Sequence, residues 1–291
     1  MNTSLHIEPF FHAGTGTWTY VVHRGIDAVV IDPVLDYDPK SGRIGTESLQ
    51  VVQAYIADAG LQVHRILETH AHADHLSSAQ VLRAATGAPV GIGAGIRQVQ
   101  AHFAGVFGLA QDDPALTDAF DATFADGDMI EAGGLRLEVM ATPGHTSDSL
   151  SYAIEGNVFI GDTLFAPDVG AARCDFPGGD ADTLFDSIQR LYALPDDTVL
   201  WLCHDYPQGR ERRSSITVAE SKRDNVMLRG DTGRDDFTLR RRTRDAQLPV
   251  PVLLYPSLQV NIRGGHLPPA QANARRYLCT PLQGEIPSSL D

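Results

Sequence analysis

The stretch Thr69-His70-Ala71-His72-Ala73-Asp74-His75 places three imidazoles and one carboxylate within seven residues, just after the apolar pair Ile66-Leu67. Imidazole and carboxylate are ligands for zinc, iron and manganese. A turn leaving a strand brings alternate residues such as His70 and His72 together, where a helix would splay them. A polar surface loop accounts for any one of these histidines, but not for four ligand types at this spacing. The chain must therefore fold so that a strand end and the loop behind it face a metal.

The downstream sequence offers partners in matching positions. Pro143-Gly144-His145-Thr146 follows the expected strand Leu135–Ala141, and Gly161-Asp162-Thr163 follows the apolar run Val158-Phe159-Ile160. His204 follows Val199-Leu200-Trp201-Leu202-Cys203. Each candidate ligand thus sits at the carboxyl end of an apolar strand. His6, His12, His23, His64, His102 and His266 have no such placement and read as ordinary surface or structural histidines.

The rest of the chain supplies the scaffold. Strands are expected at 17–23 and 27–32, joined by Arg24-Gly25 as a meander. Asp32 at the end of the second reads as a loop-capping carboxylate in preference to a member of the ligand shell. A helix over 47–59 closes at Gly60. The strand 63–67 delivers the histidine loop, and a helix over 75–86 starts with Asp74 as its N-cap and stops at Gly87. A short strand at 89–93, a helix at 96–107, strands at 128–131, 135–141, 149–154 and 158–160, and a helix at 183–193 follow. This order fits two similar halves packed face to face. Beyond His204, helices are expected at 215–228 and 235–246, then a Pro-rich tail over 248–269. The cluster Arg240-Arg241-Arg242 reads as a solvated helix face.

Composition narrows the function. A formal net charge of −14 argues against nucleic acid, whose binding needs basic patches. It also means that an anionic substrate needs a local cation. No apolar run approaches the roughly 20 residues of a membrane span, and MNTSLHIEPFF lacks the basic and apolar regions of a signal peptide. The reading is a cytoplasmic protein without a membrane partner. Cys174, Cys203 and Cys279 are too few and scattered for a disulfide framework and are expected as free thiols.

Thr69–His75 resembles the HxHxDH signature of the metallo-β-lactamase superfamily, and His145, Asp162 and His204 complete its ligand set with His70, His72, Asp74 and His75. The resemblance implies an α/β (α+β) fold, an αββα sandwich with its metals at one edge of two facing sheets. The catalytic domain would span 1–210, and 211–291 would be a helical and Pro-rich appendage packed on it. Three further segments, His204-Asp205-Tyr206, the run from Ala172 to Gly179 and the run from Pro256 to Arg263, resemble bacterial persulfide dioxygenases. That family oxidises glutathione persulfide with O2 to sulfite and glutathione at one Fe(II) per chain, and is expected as a homodimer. Carried over by position, His70, His145 and Asp162 would hold the iron, while Asp74, His75 and His204 orient them through hydrogen bonds and His72 lines the site. Arg173 would meet a glutathione carboxylate, Tyr206 would touch substrate, and Cys174 has no settled role. The alternative is a glyoxalase II-like hydrolase of glutathione thioesters, using all seven ligands for a dinuclear Zn or Fe site. Against it, Asp74-His75 runs into Leu76-Ser77-Ser78 in place of DHxxG, and no C-terminal glutathione-binding segment of that family is recognisable. A catalytically silent binding partner is a third reading, which an intact ligand set disfavours.

Overall fold

A computed structural model of the chain describes residues 4–282 and 284. From the amino end, β1 (His6–His12), β2 (Thr17–Arg24) and β3 (Asp27–Ile31) form an antiparallel meander. β4 (Val34–Asp38) and β5 (Arg43–Gly45) make a small hairpin, and α1 (Glu47–Asp58) returns the chain to β6 (Gln62–Leu67), parallel to β3. Next come β7 (Leu76–Ser77), α2 (Ala79–Thr86), β8 (Val90–Gly93), α3 (Ile96–Phe107), the single turn α4 (Pro114–Thr117) and β9 (Ala122–Phe124). The first sheet runs β1-β2-β3-β6-β8-β9.

The second sheet comprises β10 (Met129–Ala132), β11 (Leu135–Ala141), β12 (Leu150–Ile154), β13 (Asn157–Phe159), β14 (Val199–Trp201) and β15 (Ser215–Thr217), neighbours in that order. α5 (Ala181–Tyr192) is the crossover that makes β13 and β14 parallel. α6 (Val218–Asp224), α7 (Arg234–Asp245) and α8 (Leu254–Asn261) follow.

Both sheets are apolar on two faces, so each must be covered twice. Between them lie Tyr20, Val22, Val29 and Ile31 of the first sheet against Leu137, Val139, Tyr152 and Phe159 of the second. The outer face of the first packs Val21, Val30 and Ile66 under Leu49, Val52 and Leu82 of α1 and α2. Leu184, Ile188 and Leu191 of α5 and Phe237 of α7 cover Val158, Leu200 and Ile216 on the other side. The result is the expected helix-sheet-sheet-helix layering. No helix among the described residues is long and apolar enough to cross a membrane.

Several local expectations change. Residues 75–86 are not one helix: Leu76 and Ser77 pair with β4, the Ser77 N–H is taken by Asn261 Oδ1 at 2.8 Å, and the helix starts behind Ser78. Tertiary partners override helix propensity there, and Asp74 is not a helix cap. The stretch 215–228 opens as β15, where Ile216 and Thr217 favour strand, and Thr217 caps α6 by accepting the Glu220 N–H. Residue 210 therefore precedes the edge strand of the second sheet. The Pro-rich tail carries α8, with Pro256 inside its first turn, where no intrahelical N–H is lost. The strands β1, β4, β5 and β9 were not anticipated, the stretch 33–46 having the Asp, Pro, Gly and Ser content of a loop.

Candidate metal centre

The ligand loops leave β6, β11, β13 and β14 at their carboxyl ends and meet at one edge between the two sheets. His70, His145 and Asp162 converge, with one ligand atom from each lying within 4.8 Å of the others, and so do His72, Asp74 and His75. His204 stands between the groups, its Nε2 3.3 Å from Asp162 Oδ1 and 3.5 Å from Asp74 Oδ2. His145 Nε2 lies 3.6 Å from Asp162 Oδ2. All seven residues singled out by spacing are thus brought to one site.

The opposite edge of each ring shows how it is held. His145 Nδ1 donates to the Arg173 carbonyl at 2.7 Å and His75 Nδ1 to that of Leu76 at 3.2 Å, leaving each Nε2 with its lone pair free. The Nδ1 atoms of His70 and His204 meet the hydroxyls of Thr69 at 3.0 Å and Thr17 at 3.3 Å. The inward atoms His70 Nε2, His75 Nε2, His204 Nε2, His72 Nδ1, Asp74 Oδ2 and Asp162 Oδ1 are buried without a hydrogen-bond partner. Leaving a buried polar atom unsatisfied costs about 1–3 kcal/mol, so six such atoms spread over these adjoining groups describe a cradle that a cation completes. Burial, then neighbouring imidazoles, lower the His70 pKa, and burial with His72 lowers that of His75 to about 3. Neutral rings are what metal ligation needs.

His72 is held differently. Its Nε2 lies 3.1 Å from Asp32 Oδ1 and 3.5 Å from Glu68 Oε2. Burial opposes its protonation, but the charge and hydrogen bond of Asp32 outweigh it and raise the His72 pKa well above the usual range. Asp32 also accepts the Thr69 N–H at 2.7 Å and the Thr69 hydroxyl at 2.9 Å, and its φ of 51° is left-handed. A non-glycine residue in that region is strained and persists where its surroundings fix it. Asp32 is therefore more than a loop cap, since it orients both ends of the Thr69–His72 segment. Glu68, which sequence reasoning passed over, is buried, accepts the Ser77 hydroxyl and has its pKa raised by burial.

Two supports come from beyond residue 210. Asn261 donates through Nδ2 to the carbonyls of His72 at 2.7 Å and His75 at 2.8 Å while its Oδ1 accepts Ser77 N–H. Arg241 is only 2% exposed, which corrects the reading of its cluster as wholly solvated. It donates to Asp245 Oδ1 and to the Ala171 carbonyl at 2.8 Å, and Asp245 Oδ2 accepts the Cys174 N–H at 2.9 Å. The loop 171–175, whose Arg173 carbonyl fixes His145, is thereby pinned to α7. Burial raises the pKa of the Cys174 thiol, which leaves it protonated.

Two clefts open at the site. One of about 420 Å³ has Asp74, His145 and Asp162 at its floor and is walled by Phe165, Phe176, Tyr206, Val250 and Val252, with Arg173, Arg241 and Arg244 along it. The other, of about 500 Å³, shares Asp74, Tyr206, Pro251 and Val252 but is lined by Asp36, Asp38 and Glu47 with Arg43 and His12. The Tyr206 ring stacks on His204, with centroids 5.7 Å apart and planes 7° apart. Arg173 reaches the cleft with its fork already engaged: Nε and Nη2 each donate to Asp175 at 2.6 Å, and Nη1 to the Pro249 carbonyl at 2.9 Å.

Comparison with known proteins agrees with this geometry. The family model for the metallo-β-lactamase superfamily matches residues 13–204. A probable metallo-hydrolase of Burkholderia pseudomallei is 43% identical over 291 residues, covering 96% of this chain and 99% of the relative. The chain spans 64% of the length of a β-lactamase hydrolase-like protein of Xylella fastidiosa, to which it is 44% identical over 95% of its own length. Human mitochondrial persulfide dioxygenase ETHE1 is 28% identical over 205 residues, 69% of this chain and 68% of its own. A hydroxyacylglutathione hydrolase of Brucella anthropi is 33% identical over 62% of this chain and 63% of its own. The crystal structure of ETHE1 from Myxococcus xanthus superposes with a TM-score of 0.72 at 31% identity, covering 90% of this chain and all of that one.

Proposed function

We propose that this chain, which belongs to the metallo-β-lactamase superfamily, is a non-haem iron(II) dioxygenase that converts glutathione persulfide, O2 and one water to glutathione and sulfite. The observation that carries this reading is the convergence of two imidazoles and one carboxylate, His70, His145 and Asp162, on one point. That donor set suits iron(II), which when bound supplies redox chemistry with coordination positions left open. The likeness to human persulfide dioxygenase and to the ETHE1 structure supports the same reading.

The protein's own part is to hold and to exclude. The Arg173 carbonyl keeps the His145 proton on Nδ1, so its Nε2 stays a ligand. Phe165, Phe176, Val250 and Val252 wall the cleft with apolar surface, which limits water around the persulfide sulfur. To Tyr206, which stacks on His204 and lines the same cleft, we assign the contact with substrate. Arg173 and Asp175 together shape the wall beside Phe176, over which the guanidinium lies at 5.1 Å.

The second cluster, His72, Asp74 and His75, favours a second reading, a dinuclear hydrolase of glutathione thioesters like the hydroxyacylglutathione hydrolases. Metal analysis of anaerobically purified protein, combined with O2 uptake on glutathione persulfide, separates the two. The dioxygenase reading expects roughly one iron per chain, little zinc, and O2 consumption matched by sulfite. Two metals per chain, turnover of S-lactoylglutathione and no O2 uptake would replace it with the hydrolase.

A further inference from the structure

The cleft above the metal site is lined by Arg173, Arg241 and Arg244. Their states differ. Arg173 has the Nε/Nη2 edge of its guanidinium taken by Asp175 and its Nη1 by the Pro249 carbonyl, and Arg241 is buried against Asp245 and the Ala171 carbonyl. Arg244 lies in the last turn of α7, one turn beyond Arg241, and its side chain is exposed. Among the described residues it makes no side-chain hydrogen bond or ion pair, while both of its cleft neighbours do. The carboxylates of this cleft, Asp74 and Asp162, belong to the metal site, whereas the adjoining cleft adds Asp36, Asp38 and Glu47 around Arg43 and His12. An anion approaching a protein of net charge −14 meets one opening where Asp36, Asp38 and Glu47 outnumber Arg43, and one where Arg244 has, among the described residues, no carboxylate partner and the only carboxylates are those of the metal site.

We infer that Arg244 is the specificity-determining cation of the site, receiving a carboxylate of the thiol substrate while the sulfur faces His145 and Asp162. The inference rests on the proposed persulfide reading for the identity of the thiol, but not for the role of the arginine. Arg173 is a weaker receptor, because a substrate carboxylate would have to displace Asp175 from a bidentate pair. Arg241 is ruled out by its burial. A planar fork meeting a carboxylate gives two parallel charge-assisted bonds, which a lysine reproduces only in part.

The test is direct binding to the metal-loaded protein under anaerobic conditions, by calorimetry, with glutathione, its diethyl ester and 3-mercaptopropionate as probes. Wild type is expected to prefer glutathione over the ester by roughly 10–150-fold, the range of one charge-assisted contact, with the preference shrinking in high salt. R244A should bring that ratio close to one, R244K should keep part of it, and R173A should retain most of it. Equal binding of acid and ester by wild type overturns the inference, and so does R244A with an undiminished ratio or R173A with an abolished one. If wild type holds 3-mercaptopropionate through Arg244 but not glutathione, Arg244 stands and the glutathione reading falls. If glutathione binds and R244A changes nothing, the reverse holds.

Discussion

The metal ligands and the residues that hold them are built on opposite principles. The candidate ligands come from short loops at the ends of four apolar strands, each announced by its own local sequence. Their supports come from afar: Asn261 reaches His72 across 189 positions, and Asp245 reaches Cys174 across 71. A ligand needs only the right atom at a strand end. A support needs the whole chain to be in place, because it satisfies main-chain groups of loops that cannot pair with each other. The difference teaches that the part of the chain after residue 210 is a structural member of the site even though none of its described residues is a candidate ligand.

The sharpest way to break this division is to remove ligands. His70→Ala, His145→Ala and Asp162→Ala are each expected to abolish both iron retention and O2 uptake. Asp74→Ala and His204→Ala should leave detectable iron, with activity down about 10–100-fold, the usual scale for groups that orient ligands. Equal iron loss in all five, read by metal analysis, would make the site dinuclear and move Asp74 and His204 among the ligands.

Next in size are the supports. Arg241→Ala leaves Asp245 buried without its cation, and breaking a buried pair in this way destabilises by about 3–5 kcal/mol. Denaturant unfolding should show that loss, together with weaker iron retention because the 171–175 loop that fixes His145 is freed. Asn261→Ala strips two carbonyls and one N–H of their partners, and about 1–3 kcal/mol per buried group is the upper scale if no water enters. Asn261→Asp keeps the acceptor for Ser77 but points a carboxylate at two carbonyls, so it should be at least as damaging as Ala. Normal stability and normal iron in both Asn261 variants would show that the ligand loop stands without α8.

How much of this was legible follows from the same division. All seven candidate ligands could be named from spacing, since strand ends are marked by Val, Ile, Leu and Phe runs and the ligand types stand immediately behind them. The two-layer core was legible too, from the order of apolar strands and helices. Asp32 was read as a cap because its partners, Thr69 and His72, are distant in sequence, and nothing local reports its positive φ. The helix assigned to 75–86 failed for an equivalent reason: Ser77 is claimed by Asn261, far along the chain. Arg241 looked solvated among three arginines, yet helical geometry buries one and exposes its neighbours. Local pattern finds the atoms that do the chemistry, while their mutual support depends on pairings that only the folded chain creates.

The smallest expected effect lies at Arg173, where the two principles meet in one residue. Its carbonyl accepts the His145 Nδ1 proton at 2.7 Å, a contact that any side chain at this position preserves. Its guanidinium pairs with Asp175, whose side chain is 37% exposed, and such pairs contribute about 0–1 kcal/mol. The strong pull of that pair, seen in the lowered Asp175 pKa caused first by its hydrogen bond to Arg173, is discounted by this exposure to solvent. Arg173→Ala should therefore shift stability by no more than about 1 kcal/mol and leave iron content unchanged. Arg173→Pro is the contrasting variant. It alters the main chain on which the His145 contact depends and is expected to lose iron. If the alanine variant loses iron as well, the side chain, and not the carbonyl, is what holds His145, and the separation between ligand and support fails at this point.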